Sequence, residues 1–515
     1  MINNQKFNLP DGHDEKQFIR ELADKYATAN EPAVVERFTI YDTFDWRLFN
    51  RSFVLYASAN RLFLRKLDNT DIIHSARISS PPVFIQDFPA GALKKQLAPI
   101  LKMRALLRLV EVQARSTPYR ILNPDEKTVA RLVFEKFWPL RHKRRPALTA
   151  HLWLRPVKGY NKYARNLVKH FQAAGLSESK QEDIFFKALE LVNIKPGSYS
   201  ARVNIQLEPD MRADKATKII LRFLLHVMRI NAAHIEKDLD TEFLHDFRVA
   251  IRRTRSALGQ IKNVFAARTT DRFKKNFASI GKLSNELRDL DVYLLNEDHY
   301  KALLPPVLRE EIDPLFDYLR KKRSKALQKV IRGLKAKRNV KILQDWEVFL
   351  NKAPQDSATA HSAELPVIDL ASKRIHKRYR NIVKAGHLIL KKIEDERLHA
   401  LRIECKKLRY LMEFFASLFP RKKNDLLIAQ LKKLQDNLGD FNDLSIQKET
   451  LLNISTQMPA TLQQTPKTLL AIGSLIGTLE KERQIVKNAF AKTFTNFASP
   501  ENQALFRQLF VSRAK

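Results

Sequence analysis

The sequence predicts an α+β protein: an antiparallel β meander followed by an all-α region of two pseudo-symmetric four-helix bundles. Three observations carry this. Short, partly alternating runs rich in Val, Phe, Tyr and Leu fill residues 33 to about 165. From about 212 onward the apolar period changes to that of a helix and stays there. And the stretch 245-HDFRVAIRRTR-255 is written again, in nearly the same pattern, as 399-HALRIECKKLR-409.

The strands come first. The runs 34-VVERFTIYD-42, 52-SFVLYAS-58, 61-RLFLRKL-67, 107-LRLVEVQAR-115, 128-TVARLVFEKF-137 and 150-AHLWLRPV-157 are separated by turn-formers such as 68-DNTD-71 and 123-NPDEK-127. A helix is expected at 90-AGALKKQLAPILKM-103, and a helical segment over 160–190 closes this part. The polar stretch 1–32 is read as a segment preceding the domain, which then runs 33–200. The helical half divides into 210–352 and 367–515 at a polar connector, 353–366, which has two prolines and no apolar period.

The two helical parts align. His245, Arg248, Arg252, Arg253 and Arg255 match His399, Arg402, Lys406, Lys407 and Arg409, each 154 residues later. Upstream, 216-ATK-218 matches 371-ASK-373; downstream, 287-LRDLD-291 matches 438-LGDFN-442. Three blocks in one order at nearly constant spacing indicate a duplicated unit.

At about 100° per residue, His245, Arg248, Arg252 and Arg255 fall within roughly 80° of one another, beside the apolar face that carries Phe247, Ala250 and Ile251. The second copy places His399, Arg402, Lys406 and Arg409 in the same way, while Arg253 and Lys407 point elsewhere. On the first helix of each bundle, Lys218, Arg222 and Arg229 share one direction, and Lys373, Lys377 and Lys384 repeat the spacing. Facing stripes on adjacent helices would make a basic groove whose cations lie about 5–6 Å apart along the axis. That suits a ligand with a charge every few ångströms. The net charge of +36 points the same way, since so large an excess predicts a polyanionic partner. Asp289, Asp291 and Asp440, in the acidic turns that follow, are expected to orient the arginines or histidines.

Other chemistry is sparse. The lone cysteine, Cys405, allows no internal disulfide, and none of the thirteen histidines has H-x-x-x-H or H-E-x-x-H spacing. No metal site and no cofactor are expected. There is no phosphate-binding glycine loop and no nucleophile elbow. With no apolar run of ~18 residues and a polar N-terminus, a cytoplasmic protein without a membrane span is expected.

The doubled H-x-x-R-[VI]-x-x-[RK]-[RK]-x-R, followed by L-R-D-L-D-V, resembles the CHAD family, the conserved histidine α-helical domain, over about 210–515. The resemblance implies two four-helix bundles whose basic central surface binds inorganic polyphosphate, with polyphosphate granules as a location. The second copy departs from the pattern: lysines replace two arginines and L-G-D-F-N-D replaces L-R-D-L-D-V, which implies looser binding there. The run 36–67, with its Y-D-T, is similar to CYTH domains, the triphosphate tunnel fold, which often precede CHAD domains. An active tunnel enzyme carries E-x-E-x-K near its first strand, and residues 1–60 hold no E-x-E. A degenerate domain without the metal site is therefore expected, and no phosphohydrolase activity; Arg65, Arg115 and Arg120 are the cations it retains. Two rivals stand beside polyphosphate binding: binding to a nucleic-acid backbone, and metal-dependent triphosphate hydrolysis.

Overall fold

The computed structural model describes residues 4–9, 14–68, 71–140, 149–178, 184–353, 360–458 and 466–511. They form two compact units, Met1–Ser200 and Ala201–Lys515.

The first unit is built on one antiparallel sheet. Its strands are β1 (Gln5–Asn8), β2 (Ala27–Asn30), β3 (Val34–Thr43), β4 (Phe53–Ser58), β5 (Arg61–Lys66), β6 (Ile72–Arg77), β7 (Leu106–Leu122), β8 (Thr128–Pro139), β9 (Thr149–Pro156) and β10 (Ser177–Glu178). Their order is β10-β1-β9-β8-β7-β3-β4-β5-β6, with β2 paired to β7. The polar stretch expected to precede the domain is thus part of it: Phe7 pairs with Leu152 and Ala29 with Arg120. Strand alternation gives the sheet two different faces. On β8 and β9, Leu132, Phe134, Leu152 and Leu154 pack with Phe18, Leu22, Leu167 and Phe171 of helices α1 (Glu15–Ala23) and α3 (Asn161–Ala173). Their neighbours Glu135, Phe137, His151 and Trp153 face a cavity on the other side. Helix α2 (Ala92–Leu101) covers the β4–β5 hairpin through Leu93 and Leu97. Helix α4 (Ile184–Leu191) packs Phe185 and Leu189 against Ile40 and Val54. The expected helical segment over 160–190 is therefore two helices, with 179–183 outside the described residues. In 41-YDT-43, the buried Asp42 carboxylate accepts from the backbone N–H groups of Thr43, Leu48 and Phe49, which pins the turn into β4. Burial pushes its pKa up to about 6 against those donors.

The second unit is helical: α5 (Ala213–Ile235), α6 (Glu242–Gln260), α7 (Ala267–Leu283), α8 (Asn285–Leu295), α9 (Glu297–Leu303), α10 (Asp313–Lys335), α11 (Lys337–Asn351), α12 (Val367–Lys391), α13 (Asp395–Phe414), α14 (Arg421–Gln457), α15 (Pro466–Phe497) and α16 (Pro500–Phe510). The repeat is visible in the packing. α5 lies against α6 as α12 lies against α13, and each copy adds a short helix against its first one, α11 on α5 and α16 on α12. The copies differ at their third helix. α14 runs unbroken, whereas its counterpart is interrupted at Ser284, whose hydroxyl donates to Gly281 O at 3.0 Å. Such local side-chain bonds compete with the helix ladder. The connector expected over 353–366 is partly ordered. Residues 354–359 lie outside the described residues, and Leu365 and Ala363 accept from the amides of Ala213 and Asp214 at the start of α5.

Candidate functional site: a cationic surface where the two motif helices meet

Helices α6 and α13 pack against each other, so the two copies of the motif are brought together. Arg252, exposed on α6, is the residue they share. Its charge opposes protonation of Arg248 on its own helix and of both Arg402 and Lys406 on the other. Arg248 is half-buried. Its Nη1 donates to Ser284 Oγ and Asn285 Oδ1, both at 2.9 Å, so the guanidinium is held over the α7–α8 break. Burial, then Arg252, lowers its pKa to about 10, which leaves it charged at neutral pH. Arg402 donates to Asp443 Oδ1 at 3.0 Å. Burial is also the first cause that brings the Lys406 amine down to about 8, with Arg402 and Arg252 next. Arg248, Arg252 and Arg255 line a depression of about 140 Å³ with Lys282 and Asn285. It is open to solvent and lined by four cations.

The histidines sit beside this surface. Nδ1 of His399 lies 2.6 Å from Asn442 Oδ1, so the ring donates there and turns Nε2 away. His245 is half-buried on the same stripe of α6.

Several expected residues lie elsewhere. Lys218, Arg222 and Arg229 do not face the motif stripe. Lys218 Nζ donates to Lys352 O at 2.7 Å and lies 5.2 Å from the Phe349 ring centre. Arg222 donates to Leu350 O at 3.2 Å, and Arg229 pairs with Glu347. The C-terminal carbonyls of α11, where the helix dipole is negative, take Lys218 and Arg222, and the Glu347 carboxylate of the same helix takes Arg229. Lys373, Lys377 and Lys384 are exposed on α12 and carry no ion pair among the described residues. Arg253 is neutralised by Glu413 at 2.7 Å and donates to Ala201 O. Arg409 lies 3.7 Å from the same carboxylate, and both guanidinium groups lie over Tyr410. Lys407 pairs with Glu404, which also holds Arg378.

The acids also differ from expectation. Asp291 is buried and bound by Arg323 of α10 at 2.7 Å rather than by the motif. Asp289 lies near Arg248 and Arg288 without a hydrogen bond among the described residues. In the second copy Asp443, not Asp440, holds the motif arginine; Asp440 is raised by burial and by the neighbouring Asp436 and Asp443. Lys282 and Arg288 were missed by reading the motif alone. Arg288 lies inside the quoted L-R-D, and Arg252 lowers its pKa after burial does. Lys282 has no repeat signal to find it by.

In the first unit, the three inward side chains of β3 where E-x-E-x-K would stand are Glu36, Phe38 and Ile40. Two of the three are apolar. β8 contributes Glu135 to the same cavity. Among the described residues no group of three or more His, Cys, Asp or Glu could hold a metal ion. Arg65 lines the cavity, Arg115 is exposed on the opposite face of β7, and Arg120 pairs with Glu31 at 3.4 Å. Among the described residues no helix is long and apolar enough to cross a membrane.

Two curated proteins, from two strains of Mycobacterium tuberculosis, are each 24% identical to this chain over 214 residues. That is 41% of this chain and 40% of theirs, so the chain spans well under half the length of the relatives it matches. Among solved structures, the CHAD domain from the plant Ricinus communis is similar, with 21% identity, 57% of this chain and 96% of that one covered, and a TM-score of 0.48. PptA from Streptomyces chartreusis has 15% identity, covers 55% of this chain and 100% of that one, and has a TM-score of 0.43. A putative adenylate cyclase from Bacillus halodurans has 11% identity, covers 35% and 92%, and has a TM-score of 0.23. The sequence model of the CHAD domain matches residues 219–452, a span that includes both motif helices. Over residues 219–452 the helical unit of this chain matches the CHAD domain, and the duplicated histidine–arginine helices lie within that match.

Proposed function

We propose that the helical unit binds inorganic polyphosphate, without catalysis, on the surface where α6 and α13 meet. The observation that carries this reading is Arg252, which faces Arg248 on one copy and Arg402 and Lys406 on the other. Like charges brought this close raise the free energy of the unliganded protein, and a polyanion laid across them relieves it. Lys282 and Arg255 extend the cationic surface beside Arg248 and Arg252, and the exposed Lys373, Lys377 and Lys384 of α12 are the further cations this reading assigns to the ligand. Arg253, Lys407 and Arg409, each beside a carboxylate, contribute less, and Lys218, Arg222 and Arg229 serve the fold.

Binding to a nucleic-acid backbone is the competing reading. Base recognition uses aromatic or amide side chains among the cations, and the two stripes consist of Arg, Lys and His. The test is a titration of the full chain with long-chain polyphosphate, DNA and RNA of equal charge. Polyphosphate is expected to bind tightest, and Arg252→Ala with Lys406→Ala to weaken it. Each lost charged contact is worth roughly 1.5–3 kcal/mol where desolvated and less where exposed. Thermal melts run alongside should show no large loss, because Arg252 is exposed and the charge of Lys406 is disfavoured where it sits. Normal binding by the double variant, or equal binding of all three polyanions, overturns the reading.

A further inference from the structure

The cavity of the first unit has a volume of about 790 Å³, within the range of small-molecule sites. One to three side chains from each of β1, β3, β4, β5, β7, β8 and β9 line it. Its wall is aromatic. Phe38 meets Tyr56 and Phe137 edge-on, with ring centres 6.1 and 6.3 Å apart, and Trp153 stands beside them.

Charges of both signs line this cavity: Lys6, Arg65, His151 and Lys187, with Glu36, Asp68, Glu135 and Glu190. Its cations are engaged with the protein: Lys6 lies 5.5 Å from the Trp153 ring centre, Arg65 donates to Lys66 O, and Lys187 and His151 have protein partners as well. The carboxylates are not. Glu36 and Glu135 form no ion pair among the described residues, and Glu135 accepts one hydrogen bond, from Trp153 Nε1 at 2.6 Å. Burial raises the Glu135 pKa; the Trp153 hydrogen bond and the charges of Lys6 and Arg155 work against the rise, and Glu36 adds to it. Glu36 and Glu135 line one aromatic-walled cavity, where a bound cation would meet both carboxylates. Replacement of the inner β3 positions by Phe38 and Ile40 removes what a multiply charged anion would need.

We propose that this cavity binds a small organic ammonium, an amine carried on an apolar or aromatic body, with Glu36 and Glu135 as counter-charges and Trp153, Tyr56 and Phe137 as walls. The carboxylates meet the charge, and the rings bury the body and face the cation.

Calorimetric titration of the full chain tests this. The probes are phenethylamine and tryptamine, with phenylpropionate as the matched anion, tripolyphosphate, and magnesium chloride. At least one amine is expected to bind saturably and the anions not. Glu36→Gln should weaken amine binding by about tenfold or more, the loss of a charged contact. Glu36 is exposed, so the variant folds, and Glu135→Gln keeps an acceptor for Trp153 and gives a second reading. The proposal is overturned if neither amine binds at millimolar concentration, if phenylpropionate or tripolyphosphate binds as well as the amines, if magnesium alone occupies the site, or if both variants bind amines unchanged.

Discussion

Lys406 is the titrating residue of the cationic surface. Its amine is brought down to about 8 in the folded chain, against an unfolded lysine near 10.4. Between those values the unfolded chain holds more protons, so stability without ligand should rise as pH rises through that window. Polyphosphate binding should move the other way, because the charged amine is the form that meets the anion, and affinity should fall as pH passes from 7 to 9. Lys406→Arg, which stays charged, should flatten the binding profile. An affinity independent of pH in the parent chain would count against a place for Lys406 at the site. Arg323 supplies a contrast, since it binds both Asp238 and the buried Asp291 and touches no motif cation. Arg323→Ala should lower stability by roughly 3 kcal/mol or more, the cost of stranding a buried carboxylate. Urea unfolding measures it, and a loss below about 1 kcal/mol would show that Asp291 finds another partner.

At the scale of elements, the duplicated bundles hold together through close helix contacts as well as through charge. Gly386 on α12 faces the ring of Phe494 on α15, and a Cβ at that position would fall 1.9 Å from a ring carbon. Phe494 is fully buried. Gly386→Ala therefore forces the ring or the helix to move and should cost roughly 1–3 kcal/mol, read as a lower Tm. Gly439 on α14 is the control: a Cβ there meets nothing, and Gly439→Ala should be neutral or slightly stabilising. Equal melting of the two variants would mean that α12 and α15 do not pack this closely.

For the whole molecule, the excess of cations governs how any polyanion is held. Affinity for polyphosphate should drop steeply between low and moderate salt, because each phosphate contact releases counterions. A dissociation constant that ignores salt would argue for a few specific contacts instead of an electrostatic surface. The first unit, whose β3 offers Glu36, Phe38 and Ile40 to the cavity, should release no phosphate from tripolyphosphate or nucleotides with magnesium or manganese. Metal-dependent release abolished by Glu36→Gln would assign it a catalytic role.

The sequence by itself determined the α+β class, the change of period near 212, the duplication and the direction in which each cationic stripe leaves its helix. These depend on local periodicity and on a repeat that any reader of the chain can align. Only the tertiary structure decided which cations stay available. The wheel puts Lys218, Arg222 and Arg229 on one face, but not the carbonyls and the Glu347 carboxylate of α11 that take them, which lie more than a hundred residues along the chain. It separates Arg253 from the stripe without locating Glu413 of the other copy. Asp440 has the better aligned position, yet Asp443 reaches Arg402, because the motif helix and α14 meet one turn further on. Pairing partners are set by packing between distant segments, and charge availability follows from pairing.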